Sequence, residues 1–262
     1  MALKKLQINT KKDLFDPTIP GEKIETGHLH PLTLITKLAE EIFSEIGFTI
    51  ALGPEIEDEK HNFDDLNIPQ DHPARDMWDT FWLKEGQKLL RTHTSPVQIR
   101  YMENNNPPIR IIAPGRIFRH EATDASHEIN FYQLEGLMID KEISVSNFKA
   151  IIQEFLSRFF GKVVEARLRP SFFPFTEPSF EVDMSCLVCE GTGCSVCKKT
   201  GWIEIMGAGM VHPNVLRAGN INPKDWQGFA FGIGLDRLAM MKYKIDDIRL
   251  LYSGDLRFLK QF

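Results

Sequence analysis

Apolar residues recur in this chain at two different spacings, and the change from one to the other marks out its elements. After Pro31, the residues Leu32, Ile35, Leu38, Ile42 and Ile46 return every three or four positions, which gathers them on one face of a helix. Pro31 suits the first helical position, where its missing amide would have no partner anyway, and Gly47 supplies a stop. A second helical run covers 146–160, with Phe148, Ile151, Ile152, Phe155, Leu156 and Phe159 on one face and Gly161 ending it. Elsewhere the period is two. Val164, Ala166 and Leu168 alternate with Glu165, Arg167 and Arg169, the pattern of a half-buried strand. Residues 48–54 read as a strand closed by Pro54, and further β-like runs lie at 109–113, 115–121, 130–139, 179–184, 202–206 and 228–234. The last of these opens into a helix expected over 235–245. Residues 55–82 are polar and broken by Pro69 and Pro73, so long loops are expected there.

Strands that follow one another, with the helices set apart from them, predict an α+β fold built on an antiparallel sheet rather than a doubly wound one. Residues 1–27 hold no sustained period and read as a lead-in to one domain over 28–262. The chain's 262 residues suffice for one large core, and 42% apolar with 26% charged residues is ordinary for a globular protein. A formal net charge of -5 argues against a generic nucleic-acid coat, though not against a local RNA-binding patch. No apolar run approaches the ~20 residues that span a bilayer. The first 25 residues carry lysines but no arginine and include Asp13, Asp16, Glu22 and Glu25, unlike a signal or transit peptide. A cytoplasmic protein without a membrane is expected.

All four cysteines lie in the stretch Cys186-Leu-Val-Cys189-Glu-Gly-Thr-Gly-Cys194-Ser-Val-Cys197. Two Cys-x-x-Cys knuckles can place four thiolates around one tetrahedral Zn²⁺, and Gly191 and Gly193 allow the tight double turn between them. Disulfides and unoccupied thiols are the alternatives, the former disfavoured in a reducing compartment. Four protein thiolates leave no open coordination position, so a zinc ion here would be structural.

Two arginines close short β-like runs: Arg119 in Gly115-Arg-Ile-Phe-Arg119-His-Glu121, and Arg237 in Gly228-Phe-Ala-Phe-Gly232-Ile-Gly234-Leu-Asp-Arg237. Guanidinium forks pair bidentately with phosphate oxygens and keep their charge, which suits a nucleotide triphosphate. No Gly-x-x-x-x-Gly-Lys-[Ser/Thr] occurs, so ATP would not be held by a P-loop.

With these come Asp71-His-Pro-Ala-Arg-Asp-Met-Trp78-Asp-Thr-Phe-Trp82, Arg91-Thr-His93-Thr-Ser95-Pro-Val-Gln98, and Phe118-Arg119-His-Glu121-Ala-Thr-Asp-Ala-Ser-His127-Glu. Phe131-Tyr-Gln133-Leu-Glu135-Gly, Phe173-Pro-Phe175-Thr-Glu177-Pro and Gly207-Ala-Gly-Met-Val-His-Pro follow. In this order they resemble the catalytic domain of class II aminoacyl-tRNA synthetases, within it the alpha-subunit family of bacterial phenylalanyl-tRNA synthetases, from about His28 to Phe262. The resemblance implies the class II fold, an antiparallel sheet flanked by helices, in which the four-cysteine stretch would form a small zinc-knuckle insertion at 184–201. It implies activation of L-phenylalanine by ATP and transfer to tRNA(Phe).

By the same resemblance Arg119 would hold the α-phosphate, Glu121 the adenine amino group and Arg237 the γ-phosphate, with His127 near the phosphates and Glu177 a ligand of Mg²⁺. Trp78, His93, Ser95, Gln98, Gln133 and Glu135 would surround the amino acid's backbone. Phe173, Phe175 and Ala230 would surround its ring, and Gly232 would belong to the same phenylalanine site. Spacing alone says only that Phe173 and Phe175 share a side of an extended segment, which a core aromatic cluster would also satisfy. The family works with a beta subunit as an alpha2beta2 heterotetramer, and its alpha subunits carry a long N-terminal arm that grips tRNA. Here about 27 residues precede His28, and the chain alone is expected to bind phenylalanine and ATP weakly or unproductively. A paralogue serving as a non-catalytic or regulatory subunit is the alternative; loss of Arg119 or Arg237 would have signalled it, and both are present.

Overall fold

Both helical runs form on one side of a seven-stranded sheet in the computed structural model, which describes residues 21, 27–72, 80–84 and 88–262. Most of the lead-in and Trp78 lie outside the described residues. Helix α1 spans Pro31–Glu45, its entry closed by the His30 ring, which accepts a bond from the Leu32 amide at 3.1 Å. Gly47 takes the left-handed turn beyond it, with φ 90. Strand β1 (Thr49–Ile50) follows, then β2 (Ile56–Asp58), the short helix α2 (Glu59–Asn62) and β3 (Lys88–Leu90). Next come α3 (Pro96–Asn104), β4 (Ile109–Phe118), β5 (Asn130–Asp140) and α4 (Val145–Phe160). The chain continues through β6 (Ala166–Phe173), β7 (Thr176–Ser185), β8 (Trp202–Val211), α5 (Pro213–Ala218), β9 (Gln227–Gly234) and α6 (Leu235–Tyr243).

The sheet runs β1-β4-β5-β9-β8-β7-β6. Every neighbouring pair is antiparallel except β1 with β4, where Thr49 lies beside Ile111 in parallel register. The expectation of an antiparallel sheet therefore fails at this edge, because the long excursion between β1 and β4 lets the chain enter both from the same end. The runs expected at 109–113 and 115–121 are one strand. Its Pro114 lies past the reach of β1, which pairs only with Ile111 and Ile112, so a missing amide is tolerated at that free edge. The loops expected at 55–82 contain β2 and α2, which carry too few apolar residues to show a period. The helix expected to reach 245 stops at Tyr243, where Lys244 turns left-handed at φ 59.

Alternation along the central strands separates two layers of apolar packing. Leu134, Met138, Phe229, Phe231 and Ile233 join Phe43 of α1 and Phe148, Phe155 and Phe159 of α4 in the larger core. Phe43 stacks on Phe155 with centroids 4.5 Å apart and on Phe231 at 5.5 Å. Leu137, Ile139 and Ala230 belong to the second core, with Val97 and Met102 of α3 and Val215 of α5. The candidate site opens between this second layer and the sheet.

Candidate active site

Strands β5, β9 and β8 pair so that Glu135 lies beside Gly232, and Gly232 beside Gly207. The small residues leave volume where side chains would stand. A Cβ on Gly232 would come within 2.7 Å of Gln133 Nε2, and one on Gly207 within 2.8 Å of the Phe173 ring. The result is a cavity of about 420 Å³. It is lined by His93, Ser95, Gln98, Arg119, Gln133, Glu135, Phe173, Phe175, Ala230 and Gly232, all expected from sequence.

One end of this cavity is polar. Glu135, 5% exposed, accepts hydrogen bonds from Ser95 Oγ at 2.6 Å and Gln98 Nε2 at 2.7 Å, both from the start of α3. Burial pushes its carboxyl up to about 7, against the opposing pull of those two bonds. A buried carboxylate held by neutral donors is suited to receive a cation. Gln133 Oε1 is buried beside it with no hydrogen-bond partner among the described residues, an acceptor awaiting a donor. Burial, then the nearby Arg119 charge, drives His93 down to about 3, so its imidazole is neutral at any working pH. Arg119 donates through Nε to the Thr92 carbonyl at 3.1 Å and lies 5.2 Å over the Phe131 ring. The Glu121 carboxylate is 3.9 Å from it, long for an ion pair, and burial lowers the guanidinium's pKa.

Aromatic and aliphatic groups make the other end. Phe173 and Phe175 stack nearly parallel, 9° apart in plane with centroids at 5.8 Å. They meet across the turn between β6 and β7 rather than along one extended strand. Ala230, Val211, Val215 and Leu66 complete that wall.

Other expected residues stand apart from the cavity. Glu121 lies beside Arg119 without lining it. His127 is exposed on the loop between β4 and β5, its Nδ1 3.0 Å from Asp124 Oδ1. Glu177 has a side chain 76% exposed, with His212 Nε2 at 3.4 Å. A single carboxylate is an incomplete set for magnesium, which takes oxygen ligands in an octahedron. Arg237, in the first turn of α6, lines a second cavity of about 410 Å³ with Arg167, Arg169, Asp183, Lys198 and Glu204. The two cavities share Glu204.

Sequence reading missed Glu181 and Glu204, which also line the first cavity. Both pair with Arg169, at 2.8 Å and 2.9 Å, while buried Asp183 is gripped by Arg167 and Arg169. The available signal was the alternation Glu181, Asp183 along β7, which marks one face of that strand.

Between β7 and β8 the four thiols converge. Cys186 and Cys194 Sγ are 3.8 Å apart, Cys189 and Cys197 3.7 Å, and Cys194 and Cys197 3.8 Å. Ligands about 2.3 Å from a tetrahedral zinc sit ~3.8 Å from one another, so the donor set and its spacing both fit that ion. Disulfides need ~2.05 Å, and all four cysteines are free. The amides of Cys194 and Gly201 donate to Cys197 Sγ at 3.1 Å and 3.2 Å, which holds this thiol down at about 6. Burial pushes Cys186 up to about 11.

Residues 14–262 match the family described as "tRNA synthetases class II core domain (F)". The chain is 54% identical over 250 residues to the phenylalanine–tRNA ligase alpha subunit of Pseudomonas savastanoi pv. phaseolicola (strain 1448A / Race 6), covering 95% of this chain and 73% of that one. It is 56% identical over 247 residues to the alpha subunit so named from Pseudomonas fluorescens (strain SBW25), covering 94% and 72%. Among solved structures, the pyrrolysyl-tRNA synthetase of Desulfitobacterium hafniense superposes with a TM-score of 0.62 over 86% of this chain and 74% of that one. At 18% identity this last likeness speaks for the fold alone.

Proposed function

Since this chain belongs to the class II tRNA synthetase core family, among the phenylalanine–tRNA ligase alpha subunits, we propose that it joins L-phenylalanine to ATP as phenylalanyl-adenylate and passes the acyl group to tRNA(Phe). The observation that carries the reading is the cavity with a buried carboxylate at one end and paired phenylalanines at the other. A free amino acid with an apolar ring has this polarity. Its α-ammonium meets Glu135 and Gln133 Oε1, with Ser95 and Gln98 holding the carboxylate in place and neutral His93 behind them. Its ring lies against Phe173, Phe175 and Ala230, beside the space Gly232 leaves open. Trp78, outside the described residues, is the remaining contact proposed for the amino-acid backbone.

Activation then needs no protein nucleophile. A carboxylate oxygen of phenylalanine attacks the α-phosphorus, and the bond to pyrophosphate breaks with its electron pair leaving on the bridging oxygen. Rate comes from alignment and from cations placed where phosphate charge builds. Arg119, held by the Thr92 carbonyl and the Phe131 ring, faces the α-phosphate, and Arg237 the γ-phosphate. Glu121 receives the adenine amino group, and His127 lies near the phosphates. Magnesium, when bound, would supply positive charge that offsets the charge of the phosphates. Glu177 would supply one hard oxygen ligand to it. The four cysteines would hold a structural zinc. The protein acts in the cytoplasm, as the alpha subunit of an alpha2beta2 assembly with a beta subunit.

The test is pyrophosphate exchange into ATP with each of the twenty amino acids, with and without a cognate beta subunit. Exchange driven by phenylalanine only, and only with the beta subunit present, is expected. Folded protein that gives none in either condition would favour a non-catalytic paralogue.

A further inference from the structure

The cavity holding Arg237 is walled on its other side by the cysteine knuckle, through Val196, Cys197, Lys198 and Thr200. Four cations line it, and they are not alike. Arg167 and Arg169 are committed to Asp183, and Arg169 also to Glu181 and Glu204. Arg237 and Lys198 make no ion pair among the described residues. Two uncommitted cations lining one cavity, which shares Glu204 with the lining of the amino-acid cavity, form a place for a multiply charged anion.

Lys198 is not an ordinary surface lysine, because the knuckle sets its backbone. In each Cys-x-x-Cys unit the two residues after the second cysteine turn left-handed: Glu190 and Gly191 at φ 51 and 86, Lys198 and Lys199 at φ 52 and 64. The first unit uses glycine at the second of these positions and the other spends a lysine there. Non-glycine residues occupy this region only where their surroundings fix them. Here the fixing contacts are the Lys198 amide to the Ser195 carbonyl at 3.2 Å, the Lys199 amide to the Cys194 carbonyl at 2.7 Å, and the Thr200 amide to the Cys197 carbonyl at 3.0 Å. All of them depend on the fold of the four-cysteine loop.

We infer that the cavity between the cysteine knuckle and α6 is an outer-phosphate subsite, in which Lys198, positioned by the metal-bound knuckle, binds the departing pyrophosphate together with Arg237. The inference rests on the synthetase reading, which puts the γ-phosphate at Arg237. When the bond at the α-phosphorus breaks, negative charge grows on the β- and γ-phosphates, and a second cation there stabilises the leaving group as it forms. The lysine touches pyrophosphate rather than amino acid, so it is a phosphate-binding residue with no part in choosing the amino acid.

The experiment uses the assembled alpha–beta enzyme carrying Lys198→Asn or Lys198→Arg. Asparagine tolerates the left-handed backbone and removes the charge, whereas arginine keeps it. Zinc per chain is measured on each variant, as proof that the knuckle is intact. In ATP–pyrophosphate exchange, Lys198→Asn should raise KM for both ATP and pyrophosphate about tenfold, the weight of one charge-assisted contact. KM for phenylalanine should not move, and Lys198→Arg should stay within about threefold of the parent. Unchanged ATP and pyrophosphate KM in a zinc-replete Lys198→Asn enzyme overturns the proposal, as does an equal rise in phenylalanine KM or no rescue by arginine. Failure of the underlying reading looks different: Arg237→Ala would then also leave ATP saturation untouched, and the subsite would go with it.

Discussion

In the proposed function, Glu135 ties recognition to pH. Its carboxyl, pushed up to about 7 by burial, is half protonated near neutrality in the free protein. A bound ammonium favours the ionised form, so phenylalanine binding must release the proton that remains. Below about pH 7 the apparent affinity for phenylalanine should drop by close to tenfold per pH unit, with that for ATP little changed. Calorimetry of phenylalanine binding to the assembled enzyme at pH 6.5, in buffers of differing ionisation enthalpy, should register proton release. No buffer dependence would place another group opposite the ammonium. The same shift acts on stability with the opposite sense to an ordinary ion-paired carboxylate. The raised folded pKa means the native state binds the extra proton between the unfolded value near 4.5 and about 7, so stability falls as pH rises through that window. None of this was legible in the sequence. Gln133 and Glu135 could be matched to a family pattern, but burial and the two donors from α3 exist only once the chain has folded.

At the scale of elements, the cysteine knuckle makes the sharpest claim. Its ends are drawn together by the Cys186 amide on the Gly201 carbonyl at 2.9 Å, and it joins β7 to β8, the strands that bring Glu181, Glu204 and Gly207 to the site. Replacing one ligand, as in Cys194→Ser, should cost on the order of 4 kcal/mol and lower the melting temperature by roughly ten degrees. Chelation of the parent protein should do the same, followed by calorimetry and elemental analysis. A chelated, zinc-free protein that melts as before would remove the metal from the account of this fold. The long helices and most strands were readable because each buries one regular face: α1 and α4 were expected almost to the residue. Helices α3 and α5 were not, being short, opened by Pro96 and Pro213, and packed in the second core through a few side chains. Strand β4 hid its continuity behind Pro114. Distance along the chain also hid the meeting of the knuckle with Arg237, whose shared cavity spans β6, β7, β8 and α6.

The whole molecule divides its sheet between two tasks, a packed face under α1 and α4 and a working face with two cavities that share Glu204. On the proposed function, the choice among amino acids follows from how the first cavity grades from polar to apolar. Tyrosine would carry its ammonium to Glu135 as well as phenylalanine does, so discrimination belongs to the far end. Phe173, Phe175, Ala230, Val211 and Val215 offer no side-chain hydrogen bond there. Thr176 lines the cavity too, but its hydroxyl is already bonded to Ser179 Oγ at 2.7 Å. A phenolic hydroxyl buried in that wall without a partner costs about 2 kcal/mol, which amounts to roughly 30-fold in affinity. With ATP and magnesium present, phenylalanine should therefore raise the melting temperature of the assembled enzyme at concentrations about 30-fold below those at which tyrosine does so. Titrating both amino acids by thermal shift reads the ratio directly. Equal midpoints would mean that tyrosine's hydroxyl finds a partner, and the apolar end as described would not be where the ring sits.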